Sequence, residues 1–248
     1  MPGRHVRRFI CLTLTAAALT GCDAIRTPGF ETLQAAPTRE SVNPGINDPY
    51  LRSDVDAEAW AQRFEVESRE VFAAREAIAD ALRLSPGMHV ADVGAGTGLF
   101  TPLLASRVGP SGTVYAVDIV PAFIKHIDRR ARDAGLSQVQ TVLCSEHSVE
   151  LPESSVDLVF VCDTYHHFEY PRDTLGSIHA ALRENGELVV LDFERIPGVS
   201  SDWILEHVRA GREVFSAEIQ SAGFELVEQI TSAPLRENYM LRFRKRPS

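Results

Sequence analysis

Three glycines at alternate positions, Gly94, Gly96 and Gly98, directly follow a short apolar run in the stretch HVADVGAGTGLF. Glycine lets a ligand approach the backbone closely, so a loop of this kind after a strand indicates a binding site for a small molecule. A dinucleotide fingerprint requires its third glycine where Leu99 stands, for close packing of the next helix. The spacing therefore favours a nucleoside without phosphates, and it disfavours a nicotinamide-dependent dehydrogenase.

Two aspartates flank this loop in the predicted sheet. Asp92 lies on the strand before the glycines, where its carboxylate can accept hydrogen bonds from an ammonium group. Asp118 ends the next predicted strand, 24 residues after Gly94, where a carboxylate can bind both hydroxyls of a ribose. We therefore expect a ligand that carries a ribose and an amino group.

A second group of polar side chains follows the predicted strand 156–162. Asp163, Tyr165, His166 and His167 come at its carboxyl end, where doubly wound sheets bind their ligands. Asp163 and His166 are the candidate general bases, with pocket lining as the alternative role for the histidines. Three later residues, Glu194, Arg195 and His207, are candidates for the wall on the substrate side, and Cys162 is interpreted as a packing residue.

Alternating strand and helix patterns surround these residues. They predict a parallel sheet with helices on both faces, and the final pair of strands, joined by a turn containing Pro234, makes the last strand antiparallel. The expected strands are 89–93, 113–118, 139–143, 156–162, 187–193, 224–230 and 238–244, and the expected helices are 57–84 with one break, 99–108, 120–134, 172–183 and 201–222. The fold class is thus α/β with a mostly parallel seven-stranded sheet.

Four segments, in this order, resemble the class I S-adenosylmethionine-dependent methyltransferases, which have a Rossmann-like fold. VADVGAGTG corresponds to the glycine-rich motif, VYAVD to the ribose-binding acid, LPESSVDLVFVCDTYHHF to the fourth-strand motif and LRENGELVVLDF to the fifth-strand motif. The resemblance implies S-adenosylmethionine as cofactor and a small-molecule methyl acceptor. The implied cofactor contacts are Asp92, Gly94, Ala95, Gly96, Gly98, Asp118, Ile119, Glu146, His147 and Asp163.

The sequence departs from the family at the adenine site. Many relatives have an aspartate before the Leu-Pro pair, whereas Glu146 and His147 precede Leu151-Pro152 here. Either side chain can supply the acceptor for the adenine amino group. The alternative function is an exported lipoprotein that keeps the fold as a ligand-binding module without methyl transfer, but the loss of Gly94, Gly96 or Asp118 that it predicts is not observed.

The chain begins with the pattern of a bacterial lipoprotein signal. Arg4, Arg7 and Arg8 precede an apolar run over residues 9–19, and Leu-Thr-Gly-Cys ends at Cys22. This pattern predicts a signal peptide at 1–21, lipidation at Cys22, a flexible proline-containing tether to residue 50, and a domain at 51–248. The helix at 57–84 carries Trp60 and Phe64 on one face and is expected either to act as a lid over the ligand crevice or to pack against the side of the sheet. We expect a membrane-anchored protein facing the periplasm or cell exterior, or a cytoplasmic one if the leader is misread.

Composition narrows the class of partners. The formal net charge is −9, and removal of the leader with its three arginines and no acids makes it −12. Nucleic acid is excluded as a partner on this ground, and membrane contact is expected through the lipid anchor only. Of the four cysteines only Cys144 and Cys162 lie in the predicted domain, so neither a disulfide framework nor a cysteine zinc site is expected, and no metal is predicted. The sequence does not indicate an oligomeric state.

Overall fold

The computed structural model describes residues 40–67 and 69–247. The expected signal peptide, the lipidation site Cys22 and most of the tether lie outside these residues. Within them, no helix combines the length and the apolar character needed to cross a bilayer.

A seven-stranded sheet with helices on both faces forms the domain, which confirms the predicted fold class. The strands are β1 (His89–Val93), β2 (Thr113–Asp118), β3 (Val139–Leu143), β4 (Val156–Cys162), β5 (Leu182–Phe193), β6 (Phe224–Gln229) and β7 (Asn238–Lys245). The helices are α1 (Ala57–Glu67), α2 (Arg69–Ala81), α3 (Thr101–Val108), α4 (Pro121–Asp133), α5 (Pro171–Ala181), α6 (Asp202–His207) and α7 (Arg212–Ser221), with a 3₁₀ turn at Tyr165–His167.

The strand order is β3-β2-β1-β4-β5-β7-β6. Neighbours from β3 to β5 pair in parallel, whereas β7 runs antiparallel to both β5 and β6, as predicted. The order reverses between β1 and β4, so the crevice at the carboxyl ends of these strands is the expected ligand site.

Alternate residues of the central strands build two cores on opposite faces of the sheet. In β4, Val159 and Val161 pack with α5 and α7, whereas Leu158 and Phe160 pack with α2 and α3. A strand that buries both faces needs a continuous apolar run rather than an alternating one. The continuous apolar run of β4 therefore agrees with its central position in the sheet.

The predicted helix 201–222 is wrong as a single element. It consists of α6 and α7, which are separated by residues 208–211. Arg195 stabilises the break, because its guanidinium donates hydrogen bonds to the carbonyls of Leu205 at 2.8 Å and Val208 at 2.7 Å. The end of α6 at His207 matters for the site described below.

Candidate functional site

A cavity lies at the carboxyl ends of the central strands, over the point where the strand order reverses. The glycine loop and the ends of β1 and β2 form one end of it. The 3₁₀ turn after β4, together with residues from the end of β5 and from α6, forms the other. We call these the loop end and the histidine end.

The glycines of the loop serve two different purposes. Gly94 has φ +71°, and a Cβ there would lie 2.1 Å from Thr164 Cγ2, so only glycine fits. Gly96 has φ +55° and lies beneath the ring of Phe64. Both line the cavity, as does Ala95, whereas Gly98 does not; a Cβ on Gly98 would meet Ile127 of α4 at 3.0 Å. Gly98 therefore permits close packing of α4 rather than ligand contact.

Asp118 is held rigidly at the loop end. Its two carboxylate oxygens accept hydrogen bonds from the backbone N–H groups of Gly96 and Val120, each at 2.8 Å. Burial raises the pKa of this carboxyl to about 6, although the backbone hydrogen bonds favour the ionised form. Carboxylate oxygens have further lone pairs, so Asp118 can also accept hydrogen bonds from a ligand in the cavity.

Asp92 lies beside Asp118 in the same buried region. The hydroxyl of Thr101 is 3.4 Å from its carboxylate, and burial raises its pKa to about 7, with the charge of Asp118 adding to the effect. Among the described residues, neither carboxylate forms an ion pair with a basic side chain. Two buried carboxylates without a cation are costly and favour a ligand that brings positive charge.

Glu146 and His147, the two candidates for the adenine contact, lie in different environments. Glu146 lines the cavity, and so does Ile119 next to Asp118. His147 is exposed, stacks on Tyr170 with ring centroids 3.9 Å apart, and has its Nδ1 3.0 Å from the carboxylate of Asp173. The cavity lining thus includes Glu146 and not His147.

At the histidine end, His166 is almost fully buried and is fixed by Asp192. The Nδ1 of His166 lies 2.8 Å from Asp192 Oδ1, and the backbone N–H of His166 donates to Asp192 Oδ2 at 3.1 Å. Because an ionised carboxylate only accepts hydrogen bonds, Nδ1 carries a proton, and in the neutral form of the ring Nε2 has the lone pair. Sequence reasoning missed Asp192, although it occupies the carboxyl end of β5 in the quoted fifth-strand segment and could have been found by that position.

Asp163, the other candidate base, also lines the cavity. Its backbone adopts φ +45°, a conformation that aspartate tolerates better than most residues, and its carboxylate accepts a hydrogen bond from Asn238 at 2.7 Å. The conformation follows from the sharp turn between β4 and the 3₁₀ turn. It places Asp163 between the loop end and the histidine end.

His167 and His207 complete the histidine end. Their Nε2 atoms are 3.3 Å apart, and both rings line the cavity. Burial lowers the pKa of His207 to about 4 and that of His167 well below its usual range, and the charge of His166 contributes in the same direction. Both rings are therefore neutral at pH 7.

The remaining candidates have structural roles. Glu194 pairs with Arg212 at 2.9 Å, and Arg195 caps the break between α6 and α7, so neither lines the cavity. The Tyr165 hydroxyl donates to Glu218 at 3.0 Å inside the core. Cys162 lines the cavity, but burial raises the pKa of its thiol well above the usual range, which agrees with a packing role.

Segments before β1 cover the cavity. Phe64 of α1 contacts Phe123 with ring centroids 5.9 Å apart and lies above Gly96. Trp60 packs against Phe64 at 5.3 Å and against Tyr50 at 4.7 Å. This aromatic group occupies the place in which the sequence predicts a lid.

Residues 41–50, which the sequence analysis assigned to the tether, contact the domain. The hydroxyl of Ser41 and the N–H of Gly45 donate to the carboxylate of Glu169 at 2.7 and 3.2 Å, and Asn47 donates to the carbonyl of His167 at 3.1 Å. The folded domain thus begins near residue 41 rather than at residue 51. No local sequence signal marks this start, because Glu169 needs these donors only once the fold has buried it.

Comparisons with known proteins agree with this geometry. Residues 84–238 match the family model described as a methyltransferase domain. The ubiquinone/menaquinone biosynthesis C-methyltransferases of Bordetella parapertussis and Ectopseudomonas mendocina are 32% and 33% identical over 45% and 46% of this chain. The matched segments span 43% and 44% of those relatives. A crystal structure of an S-adenosylmethionine-dependent methyltransferase from Aquifex aeolicus superposes with a TM-score of 0.66 at 21% identity, covering 77% of this chain and 99% of that one.

Proposed function

Because this chain belongs to the methyltransferase-domain family, we propose that it transfers a methyl group from S-adenosylmethionine to a small-molecule acceptor. The observation that carries the proposal is the buried pair Asp92 and Asp118 beside a loop in which Gly94 admits no side chain. S-adenosylmethionine has an ammonium group, a ribose and a sulfonium, so it offers these carboxylates both positive charge and hydroxyl donors.

Different cavity residues would bind different parts of the cofactor. Asp118 would bind the ribose hydroxyls with carboxylate oxygens already oriented by Gly96 and Val120, and Asp92 would bind the ammonium group. Glu146 and Ile119 line the cavity where the adenine is expected, so Glu146 is the acceptor we assign to its amino group. When bound, S-adenosylmethionine supplies an electrophilic methyl group, and its transfer gains mainly from proximity and alignment.

The acceptor would enter at the histidine end. Asp163 and Nε2 of His166 are the two groups placed to take a proton from it, and the Asp192 carboxylate holds the His166 ring for that purpose. The curated relatives are named as C-methyltransferases of quinone biosynthesis, which supports a small acceptor. Because the match spans less than half of those relatives, their acceptor is not transferred to this chain.

The ligand-binding alternative without methyl transfer is not favoured, because the loop and both aspartates are intact and arranged for a ligand. Isothermal titration calorimetry with S-adenosylmethionine and S-adenosylhomocysteine tests the proposal. We expect one binding site for each, in competition with one another. Absence of binding by both compounds to folded protein would contradict it.

We further propose that the protein is a lipoprotein anchored through Cys22 on the outer side of the cytoplasmic membrane. The support is the order of arginines, apolar run and Leu-Thr-Gly-Cys in the sequence. Acyl chains contribute about 0.8 kcal/mol per buried methylene, so two chains give stable anchoring. Cys22→Ser should abolish palmitate labelling and release the protein from membranes; a wild-type protein that takes up no label and fractionates with cytosolic proteins would show that the leader was misinterpreted.

A further inference from the structure

Three imidazoles from two separate parts of the chain converge at the histidine end. One ring nitrogen of each of His166, His167 and His207 lies within 4.8 Å of a ring nitrogen of the other two. His166 and His167 belong to the 3₁₀ turn after β4, whereas His207 is the last residue of α6. All three line the cavity rather than the outer surface.

A side chain from another part of the fold binds the His166 ring, and two others bind the backbone at or beside His167 and His207. Asp192 at the end of β5 binds the Nδ1 of His166, so in the neutral form of this ring Nε2 has its lone pair available. Asn47 binds the carbonyl of His167, and Arg195 binds the carbonyls that flank His207. These contacts fix the His166 ring and the backbone that carries the other two histidines before any ligand arrives.

The carboxylate behind His166 is a common feature of metal centres. A histidine that ligates a metal usually donates its other ring N–H to a carboxylate or carbonyl, which fixes the tautomer and raises the basicity of the ligating nitrogen. Asp192 is fully buried, and its carboxylate lies 2.8 Å from the Nδ1 of His166. It would partly neutralise a bound cation.

The spacing of the nitrogens fits the same interpretation. Two nitrogens bound to tetrahedral zinc at 2.0–2.1 Å are about 3.3 Å apart. The Nε2 atoms of His167 and His207 are already 3.3 Å apart. One ring nitrogen from each of the three histidines lies within 4.8 Å of the other two, so a set of three ligating nitrogens must close by at most about 1.5 Å. The Nδ1 of His167 is buried without a hydrogen-bond partner among the described residues, so the only polar contact of this ring is through Nε2, toward His207.

We propose that His166, His167 and His207 bind a divalent late transition-metal ion, with zinc as the best fit, and leave its fourth position open to the cavity. Neutral imidazoles suit zinc, whereas magnesium and calcium prefer oxygen ligands.

A bound ion would change the assignment of roles at this end of the cavity. Its open position would take water or a nitrogen, oxygen or sulfur atom of the entering acceptor. Nε2 of His166 would then be a ligand, which leaves Asp163 as the general base. This last step rests on the proposed methyl transfer, whereas the metal site itself does not.

Metal binding can be measured on the full-length chain in detergent after treatment with a chelator. We expect one zinc ion per chain by calorimetry, and we expect cobalt(II) to give the strong visible absorption of a tetrahedral site without a thiolate charge-transfer band. His207→Gln should weaken zinc binding by at least about 100-fold, and Asp192→Asn by about 10- to 100-fold. His179→Gln is the matched control, because this partly buried histidine packs on Phe224 in another part of the fold and should leave the affinity unchanged.

Nitrogen-15 NMR of the wild-type protein gives a readout that needs no variant. Zinc should shift the ring nitrogens of three of the eight histidines. No zinc uptake by folded wild-type protein, a thiolate band with cobalt, or unchanged affinity in His207→Gln would overturn the site. Calorimetry with S-adenosylmethionine on the same samples separates the two proposals: cofactor binding without zinc uptake overturns only the metal site, and zinc uptake without cofactor binding overturns only the proposed methyl transfer.

Discussion

The two ends of the cavity are built in opposite ways. The loop end comes from one short stretch of chain and the end of the adjacent strand, and its charged groups are two buried carboxylates, Asp92 and Asp118. The histidine end is assembled from residues up to 41 positions apart and presents three imidazoles with a single carboxylate behind His166. The first arrangement is suited to a cationic nucleoside, and the second to a metal ion or an acceptor with a heteroatom.

This contrast has an energetic side. At the loop end the buried carboxylates destabilise the free protein, so part of the binding site is strained until a cation enters. At the histidine end burial removes the charge from His167 and His207, so these rings cost little when no ligand is present. Variants at the two ends should therefore change stability and cofactor binding in different directions.

The largest effect is expected from Gly94→Ala. The added Cβ would overlap the side chain of Thr164, and alanine is disfavoured at φ +71°. Left-handed strain and overpacking together should lower the free energy of unfolding by about 3 kcal/mol or more. Chemical denaturation measures this change. Gly135→Ala is the control, since Gly135 has φ +66° with no atom within 4 Å of the added Cβ, and should lose only about 1 kcal/mol; equal losses in the two variants would show that Thr164 does not constrain the loop.

Asp118→Ala should weaken S-adenosylmethionine binding by about 1.5 to 3 kcal/mol, because two ribose hydroxyls lose a charged acceptor. Gly96→Val should have a comparable effect, since its side chain would enter the space between the loop and Phe64. His207→Gln should change the same affinity by less than about 0.5 kcal/mol if the two ends are energetically separate. Calorimetry measures all three. Tight binding by both loop-end variants would mean that the cofactor binds elsewhere.

Asp92→Asn should stabilise the free protein while it weakens cofactor binding. With its pKa raised to about 7, the native state holds a proton that the unfolded state releases near pH 4, so the free energy of unfolding falls as the pH rises from about 4 to 7. Above pH 7 the asparagine variant avoids the buried charge and should be more stable by about 2 kcal/mol, after allowance for burying its amide.

Denaturation at pH 5 and pH 8 measures this difference. The gain in Asp92→Asn should be larger at pH 8 than at pH 5. A loss of stability at pH 8 would show that the carboxylate is stabilised by groups that the geometry does not reveal. Such a result would remove the energetic contrast between the two ends.

The sequence predicted the loop end better than the histidine end for a physical reason. Gly94, Gly96 and Asp118 act through local backbone geometry and strand register, which short patterns encode. His207 faces His167 only because α6 ends at His207. The break between α6 and α7 depends on hydrogen bonds from Arg195, and a pattern of apolar residues does not predict such bonds. The contacts of residues 41–50 with Glu169 likewise depend on tertiary pairing, so no local pattern reveals them. Asp192 is different, because its place at the end of the fifth-strand segment marks it as a candidate, although its bond to His166 is tertiary.

The smallest effect is expected at the aromatic cover over the loop end, where Phe64 lies above Gly96 and packs on Trp60. If α1 acts as a lid, Phe64→Ala should weaken S-adenosylmethionine binding by about 0.5 to 1 kcal/mol, because it removes apolar contact that forms only over the ligand. Trp203→Phe leaves Trp60 as the one tryptophan of the chain, so its fluorescence reports on α1 alone. We expect the ligand to change this signal and to increase the protection of residues 57–72 from hydrogen exchange. If the ligand changes neither the Trp60 fluorescence nor the hydrogen-exchange protection of residues 57–72, α1 is a fixed wall of the cavity. The loop end would then be as preformed as the histidine end.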